Sequence, residues 1–308
     1  MQQYMIGQYG GFDYEKFHKD FRNGFYGIEA CSFTTAEDMQ HLIEESRTKG
    51  FQVGVHFPFR ADATRLRDPL LLSTDGQVRE DAYQHVREEL DVLTALHPEY
   101  ILFHYPKPVI LDERVNWTGW RFGDSREFIY ESEITLEELI MRSEQLFEWL
   151  NAQSLQYQFV PVLEFDALNR YIYDNDFFEQ LLIRYPRIKL CLDTARLFLQ
   201  DKLDPYFDAR AILRKFTRYA GLIHLSNVQV NDSVHNSHYP VLPELSPQDG
   251  WAPIEDYLRI IREENSDVKI MFEHRSDLIS EEQLQRCYLW VDGILNGAAQ
   301  PDSGNISF

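Results

Sequence analysis

The chain has 308 residues, of which 44% are hydrophobic and 14% aromatic, so it can bury a large core and does not belong to the disordered class. Its 50 acidic residues outnumber its 30 basic ones, and the formal net charge of −20 excludes a general attraction to nucleic acids or anionic membranes. No apolar run approaches the roughly 20 residues that a membrane helix needs.

The cysteine content indicates a reducing compartment. The three cysteines lie far apart with no Cys-x-x-Cys pair, so neither a disulfide framework nor a zinc knuckle is expected. The first residues, Met1–Met5, lack a basic region followed by an apolar stretch, so no secretory signal is evident. We therefore expect a soluble cytoplasmic protein.

Strand-like apolar segments recur along the chain, and each is followed by a helical pattern. The segments are Tyr4–Gly7, Tyr26–Phe33, Gln52–Phe57, Tyr100–Tyr105, Gln158–Phe165, Ile188–Leu192, Gly221–Leu225 and Val268–Phe272. The clearest helical patterns, with apolar residues on one face, cover Asp81–Leu96, Thr135–Gln153 and the region after the capping box that begins at Ser280. Shorter amphipathic stretches cover Tyr14–Arg22, Ala36–Lys49, Asn175–Tyr185, Asp208–Tyr219 and Ile254–Glu264.

Strand–helix alternation over the whole chain predicts an α/β fold with a parallel sheet, closed as a (β/α)8 TIM barrel. A doubly wound open sheet is the competing geometry, but no Gly-x-Gly-x-x-Gly sequence follows the first strand. We expect one barrel domain over residues 1–298 and a flexible tail over 299–308.

Long connections follow the third, fourth and seventh strands, at Pro58–Glu80, Pro106–Ile134 and Ser226–Pro253. In a barrel they lie on the C-terminal face, where active sites are found. They carry aromatic and cationic groups, and we predict substrate contacts from Trp117, Trp120 and His238. The tryptophans would offer apolar faces to the substrate, or else fix the conformation of their own loop.

Polar residues end the last four predicted strands: Glu164, Asp193, His224 and Glu273. Strand ends of a barrel converge on one axis, so these residues are expected to meet. Three carboxylates and one imidazole suit Mn²⁺, Mg²⁺, Co²⁺ or Zn²⁺. The alternative is that each acid pairs with a nearby Arg or Lys and the histidine is an ordinary core residue.

Two earlier strands end in a histidine followed by an aromatic residue and proline, at His56 and His104. Both side chains are expected at the same mouth of the barrel. They would complete a second metal site beside Glu164, or hydrogen-bond the substrate, or serve only as hydrogen-bonding caps.

These motifs together resemble the xylose isomerase-like TIM barrel superfamily, which includes sugar and sugar-phosphate isomerases and epimerases and the endonuclease IV type of abasic-site nuclease. The resemblance implies that Glu164, Asp193, His224 and Glu273 bind one divalent ion, with Glu164 and Glu273 as the proton-transfer residues of an epimerase. In the nuclease branch, residues matching His56 and His104 hold a further metal with the shared glutamate.

The chain departs from the nuclease pattern at its third metal. Asp193-Thr194-Ala195 is followed by Arg196, where the nucleases have histidine, and Asn236 precedes Ser237-His238 where an aspartate is expected. A guanidinium suits carboxylate or phosphate, so Arg196 would bind an anionic substrate group, or else form an ion pair with Asp193 or a loop acid.

The leading hypothesis is a metal-dependent isomerase or epimerase of a sugar or sugar phosphate, acting by proton transfer through an enediolate. Its partner would be a small carbohydrate or an anionic sugar derivative, and a homo-oligomer is compatible with the sequence. The first rival is a phosphodiesterase of the abasic-site nuclease type, which the net charge and the missing third-metal ligands oppose. The second is a barrel that binds a ligand without turnover.

Overall fold

A closed barrel of parallel strands forms the centre of the molecule, as the sequence predicts. The computed structural model describes residues 2–62 and 64–297, so the predicted tail over 299–308 lies outside the described residues. The barrel strands are β1 Tyr4–Tyr9, β2 Gly27–Cys31, β3 Gln52–His56, β4 Tyr100–Tyr105, β7 Val160–Phe165, β8 Lys189–Asp193, β9 Ala220–Leu225 and β12 Lys269–Phe272. Their order around the barrel is β1-β12-β9-β8-β7-β4-β3-β2, with all neighbouring pairs parallel.

Helices surround this barrel. They are α1 Tyr14–Asp20, α2 Ala36–Lys49, α3 Gly76–Leu93, α4 Leu136–Tyr157, α5 Arg170–Tyr173, α6 Phe177–Arg184, α7 Thr194–Leu203, α8 Ala209–Phe216, α9 Ile254–Glu264 and α10 Glu281–Asn296. Among the described residues, no helix combines the length and the apolar character needed to cross a bilayer.

The starts of α3 and α7 differ from the sequence expectation, and aspartate caps explain both. Helix α3 begins five residues before the predicted Asp81 because Asp75 accepts hydrogen bonds from the amides of Gln77 and Val78. Helix α7 was not predicted. It begins directly after β8, where Oδ1 of Asp193 accepts from the amides of Ala195 and Arg196.

The long connections after β4 and β9 contain short strands of their own. Strands β5 Val109–Leu111 and β6 Phe128–Tyr130 pair in parallel, and β10 Asn227–Val230 and β11 Val234–Tyr239 pair antiparallel. Both pairs are separate from the barrel sheet, so these connections are structured segments that rise from the C-terminal face of the barrel.

The core has two layers. Apolar side chains of the strands and helices pack between the barrel and its helical shell, while a smaller buried cluster fills the barrel interior. The members of the interior cluster are Met5, Tyr100, Leu102, Val162, Cys191, Leu222 and Met271. This cluster fills the barrel interior, so the polar groups at the strand ends pack against apolar side chains on their inner side.

Candidate metal centre

The four polar residues predicted at the strand ends meet at the C-terminal mouth of the barrel. One ligand atom from each of Glu164, Asp193, His224 and Glu273 lies within 4.8 Å of those of the other three. Nδ1 of His224 is 3.1 Å from Oε1 of Glu164 and 3.3 Å from Oε2 of Glu273. Barrel closure therefore joins residues that are more than a hundred positions apart in sequence.

Several atoms of this cluster are buried without a hydrogen bond inside the described part of the chain. They are both carboxylate oxygens of Glu164, Nδ1 of His224 and Oε2 of Glu273. Burying such groups without a partner is costly, and bound divalent cations would supply the missing partners. The donor set of three carboxylates and one imidazole therefore fits Mn²⁺, Mg²⁺, Co²⁺ or Zn²⁺.

The carboxylates ionise unequally. Burial opposes ionisation of Glu164, but the neighbouring His224, His104 and Arg196 outweigh it and hold its pKa well below the usual range. Burial likewise opposes ionisation of Glu273, and His224 lowers its pKa to about 2. Burial and the charge of Glu273 raise the pKa of Asp193 to about 6. The carboxylates crowd one another, as expected where a cation would complete the charge balance.

A second group of possible ligands shares Glu164. Oε2 of Glu164 lies 2.7 Å from Nε2 of His104 and 3.4 Å from Nε2 of His56. The other ring nitrogens contact acceptors: Nδ1 of His104 lies 2.8 Å from Oδ2 of Asp68, and Nδ1 of His56 lies 3.0 Å from the carbonyl oxygen of Phe57. With a second cation bound here, donation from Nδ1 would leave the Nε2 atoms of both histidines free to hold it together with Glu164.

Sequence reasoning missed Glu29 and Tyr100, which lie behind the cluster. Oε2 of Glu29 is 3.1 Å from Nε2 of His224 and accepts a 2.7 Å hydrogen bond from the Tyr100 hydroxyl. Glu29 is completely buried. A charged residue between Ile28 and Ala30 in an apolar strand was the available signal.

A buried ion-pair network was also missed. We call Asp68, Lys107 and Asp166 the aspartate–lysine bridge. Nζ of Lys107 lies 3.0 Å from Oδ2 of Asp68 and 2.9 Å from Oδ2 of Asp166, and all three residues are buried. Burial disfavours the charged amine, but the two carboxylates outweigh this and raise the pKa of Lys107. Asp166 follows Glu164 by two positions, whereas Asp68 and Lys107 lie in long connections and carry no sequence signal.

Two of the predicted substrate-binding residues, Arg196 and His238, lie close to the candidate metal ligands. Arg196 lies beside the cluster, with Nη1 3.0 Å from Oδ1 of Asp166 and Nε 3.3 Å from Oδ2 of Asp193. His238 has a positive φ of 47°, and its Nδ1 lies 3.3 Å from the carbonyl oxygen of Glu273. Both residues line a cavity at the barrel mouth, which we call the main cavity.

The two tryptophans lie in different cavities. Trp120 is buried, its Nε1 donates to Oδ1 of Asp166 over 3.2 Å, and it lines a smaller cavity together with Asp193, Arg196 and His238. Trp117 donates from Nε1 to the carbonyl oxygen of Asp112 over 2.9 Å and lines a separate cavity beside β5 and β6. These contacts hold the connection after β4 in place, and the substrate role remains a prediction.

The main cavity has a volume of about 770 Å³, which is the size of ordinary small-ligand sites. It is lined by His56 and Glu273, by Arg67, Arg196 and Arg275, and by residues of α1 and of the segment after Glu273. Glu273 is the member of the four-ligand cluster among these lining residues, and the pocket carries three guanidinium groups.

The similarity of this chain to known proteins is found at the level of structure. No protein-family model matches the sequence, and no curated protein matches it. Solved structures match over nearly the whole chain. The TTHB071 protein from Thermus thermophilus, soaked with ZnCl2, aligns with a TM-score of 0.60 and 15% identity over 97% of this chain and 100% of that one.

Two further structures extend the comparison. A D-tagatose 3-epimerase-like protein aligns with a TM-score of 0.60 and 13% identity, over 95% of this chain and 98% of that one. A xylose isomerase domain containing protein from Salmonella typhimurium LT2 aligns with a TM-score of 0.57 and 13% identity, over 96% and 97% of the two chains. The chain has the fold of the xylose isomerase-like TIM barrels.

Proposed function

We propose that the chain is a divalent-metal-dependent isomerase or epimerase of a polyhydroxylated carbonyl compound. The observation that carries the proposal is the position of Glu164 and Glu273. Both carboxylates approach the same Nδ1 atom of His224, both belong to the four-ligand cluster, and Glu273 lines the main cavity. One of the structural matches is described as a D-tagatose 3-epimerase-like protein, which supports this choice of reaction. Its similarity to this chain shows the fold alone.

The chemistry requires a cation and a pair of carboxylates. A divalent ion bound by Glu164, Asp193, His224 and Glu273 would draw electron density from the carbonyl and adjacent hydroxyl oxygens of a sugar, which acidifies the hydrogen on the intervening carbon. One glutamate would then remove this proton to give an enediolate, and the other glutamate, after taking a proton from solvent, would return one. Return to the opposite face of the same carbon would give an epimer; return to the neighbouring carbon, with the hydroxyl proton passing to the former carbonyl oxygen, would give an isomer.

Glu273 is the better placed of the two to remove the proton. Its side chain is 14% exposed and lines the cavity, while the Glu164 side chain is 1% exposed. The Tyr9 hydroxyl donates to Oε1 of Glu273 over 3.3 Å, which orients that carboxylate at the cavity wall. Glu164, held among three imidazoles, is suited mainly to binding the cation and to the second proton transfer.

The test is solvent exchange. Protein loaded with Mn²⁺ is incubated in deuterated water with a panel of ketoses, aldoses and their acidic derivatives, and deuterium at carbon is read by NMR and mass spectrometry. Glu273→Gln, assayed at saturating Mn²⁺ with the bound metal measured, is expected to lower the exchange rate by about 10²–10⁴. Glu148→Gln, on the exposed face of α4, is the matched control. A metal-loaded protein that exchanges no hydrogen in any of these sugars would contradict the proposal.

A second candidate is metal-dependent phosphodiester hydrolysis, favoured by the assembled group His56, His104 and Glu164. Against it, Arg196 lies in ion-pair contact with Asp193 and Asp166, and the Asn236 amide donates to Gln229 within the β10–β11 pair. Cleavage of an oligonucleotide with one abasic site would establish this second function. A barrel that binds its ligand without turnover would bind a sugar in calorimetry and give neither reaction.

A further inference from the structure

Three arginines line the main cavity: Arg275 pairs with Asp277, and the other two come from different parts of the fold. Arg67 lies in the connection between β3 and α3, and Arg196 is the third residue of α7. Nη2 of Arg67 is 3.2 Å from Nδ1 of His104, and Nη2 of Arg196 is 3.5 Å from Nε2 of the same ring. Two like charges therefore lie one imidazole apart at the wall of one pocket.

Buried carboxylates hold each guanidinium in place. Nε and Nη2 of Arg67 donate to the two oxygens of Asp68 over 3.1 and 3.2 Å, and Nη1 of Arg196 donates to Asp166 over 3.0 Å. Both aspartates are in turn held by Lys107 in the aspartate–lysine bridge. The arginines are thus fixed before any ligand arrives, which lowers the entropy cost of binding one.

Each guanidinium keeps donors for a ligand. Nη1 of Arg67 makes no hydrogen bond to any described residue, and Nη2 of Arg196 contacts the His104 ring without an acidic partner. The side chains are 51% and 29% exposed, respectively. Arginine presents paired donors that match the oxygens of a carboxylate or a phosphate. Such an oxyanion would also relieve the repulsion between the two charges.

We propose that Arg67 and Arg196 together bind an oxyanion of the substrate, so that the sugar handled here is acidic: a sugar carboxylate or a sugar phosphate. The identity of the ligand as a sugar rests on the proposed function, while the oxyanion site rests on the two arginines. The reacting carbons then lie toward Glu273, because this residue lines the same cavity. Neutral sugars of the same size lack the contact and bind more weakly.

Binding is measured by calorimetry in two forms of the full chain. With metal-free protein the probe is inorganic phosphate, so that metal coordination makes no contribution. With Mn²⁺-loaded protein the probes are D-glucuronate, D-fructose 6-phosphate and the neutral sugars D-glucose and D-fructose. The variants are Arg67→Met and Arg67→Lys. Arg65→Met is the control, because Arg65 pairs with Glu88 outside the main cavity.

The expected result is that at least one acidic sugar binds about tenfold or more tightly than its neutral counterpart and that Arg67→Met abolishes this difference. Phosphate affinity should fall in parallel, with Arg67→Lys between wild type and Arg67→Met, and Arg65→Met should match wild type. Preference for glucuronate identifies a carboxylate, and preference for the fructose ester identifies a phosphate.

Other results would overturn the inference. They are equal affinity for acidic and neutral sugars, loss of both affinities together in Arg67→Met, or no binding of phosphate or of any acidic sugar. Failure of the proposed function is recognised separately, by oxyanion binding that depends on Arg67 in a protein that exchanges no carbon-bound hydrogen.

Discussion

Nε2 of His224 lies 3.1 Å from Oε2 of Glu29, on the ring edge opposite the Nδ1 atom that faces Glu164 and Glu273. The Tyr100 hydroxyl donates to the same Glu29 oxygen over 2.7 Å. A carboxylate in this position fixes the proton of His224 on Nε2 and leaves the lone pair of Nδ1 available to a cation. Glu29 is therefore a positioning residue for the candidate metal centre.

Replacing Glu29 by Gln should weaken metal binding. The amide retains an oxygen that can accept from His224 but loses the charge that makes the imidazole more basic, so we expect the dissociation constant for Mn²⁺ to rise by about 10- to 100-fold. Tyr100→Phe, which leaves the carboxylate, should have a smaller effect. Competition titration with a fluorescent chelator measures both. Unchanged Mn²⁺ affinity in a folded Glu29→Gln protein would show that Glu29 is merely a buried hydrogen-bond acceptor.

The number of bound ions should depend on two different sets of histidines. We expect two ions in the wild type, one in the double variant His56→Asn/His104→Asn, and loss of the four-ligand ion in His224→Asn, because the two groups meet only at Glu164. Metal content after equilibration with Mn²⁺ or Zn²⁺ and gel filtration is read by plasma mass spectrometry. A wild type that holds a single ion, kept by the double variant, would assign His56 and His104 to hydrogen bonding.

Cation removal should lower the thermal stability. The buried oxygens of Glu164 have no hydrogen-bond partner in the described structure, so the folded state gains more from the ion than the unfolded chain does. At a free ion concentration one hundred times the dissociation constant, the bound ion stabilises the folded state by about 2.7 kcal/mol. The melting temperature should therefore fall by roughly 5 °C after chelation. Scanning calorimetry with and without EDTA measures it. In His224→Asn the chelator should have much less effect.

Much of this architecture could be predicted from the sequence, because the signals are local and repeated. Apolar strands alternate with amphipathic helices, and a barrel is the closed arrangement of that pattern. The four-ligand cluster followed, since parallel barrel strands all end on one face. Helix α7 was missed because Asp193 is both the last residue of β8 and the N-cap of the next helix.

The remaining parts depend on the paths of long connections, which no short-range pattern specifies. Asp68 and Lys107 come together only because the connections after β3 and β4 fold over the barrel mouth. Trp117 donates a hydrogen bond to the carbonyl oxygen of Asp112 within its own loop, and no sequence pattern specifies this contact. Glu29 carried a usable signal, a carboxylate inside an apolar strand, but its partner His224 is 195 positions away and only the closed barrel brings them together.

The aspartate–lysine bridge makes Lys107 the residue on which the stability of the cavity wall should depend most. Its side chain is 2% exposed and contacts Asp68 and Asp166, which in turn hold Arg67 and Arg196. Lys107→Met removes the cation and leaves two buried carboxylates facing each other, so we expect unfolding free energy to fall by about 3–5 kcal/mol.

Lys49→Met is the contrasting variant, because Lys49 pairs with Glu45 on the exposed face of α2. A surface pair of this kind contributes less than about 1 kcal/mol, so the two lysines separate the effect of burial from the effect of charge. Urea denaturation of both variants measures the difference. Adding Asp166→Asn to Lys107→Met should restore part of the lost stability, because it removes one of the two negative charges that face each other. Equal losses in the two lysine variants would mean that solvent already screens the bridge and that the arginines are held by other contacts.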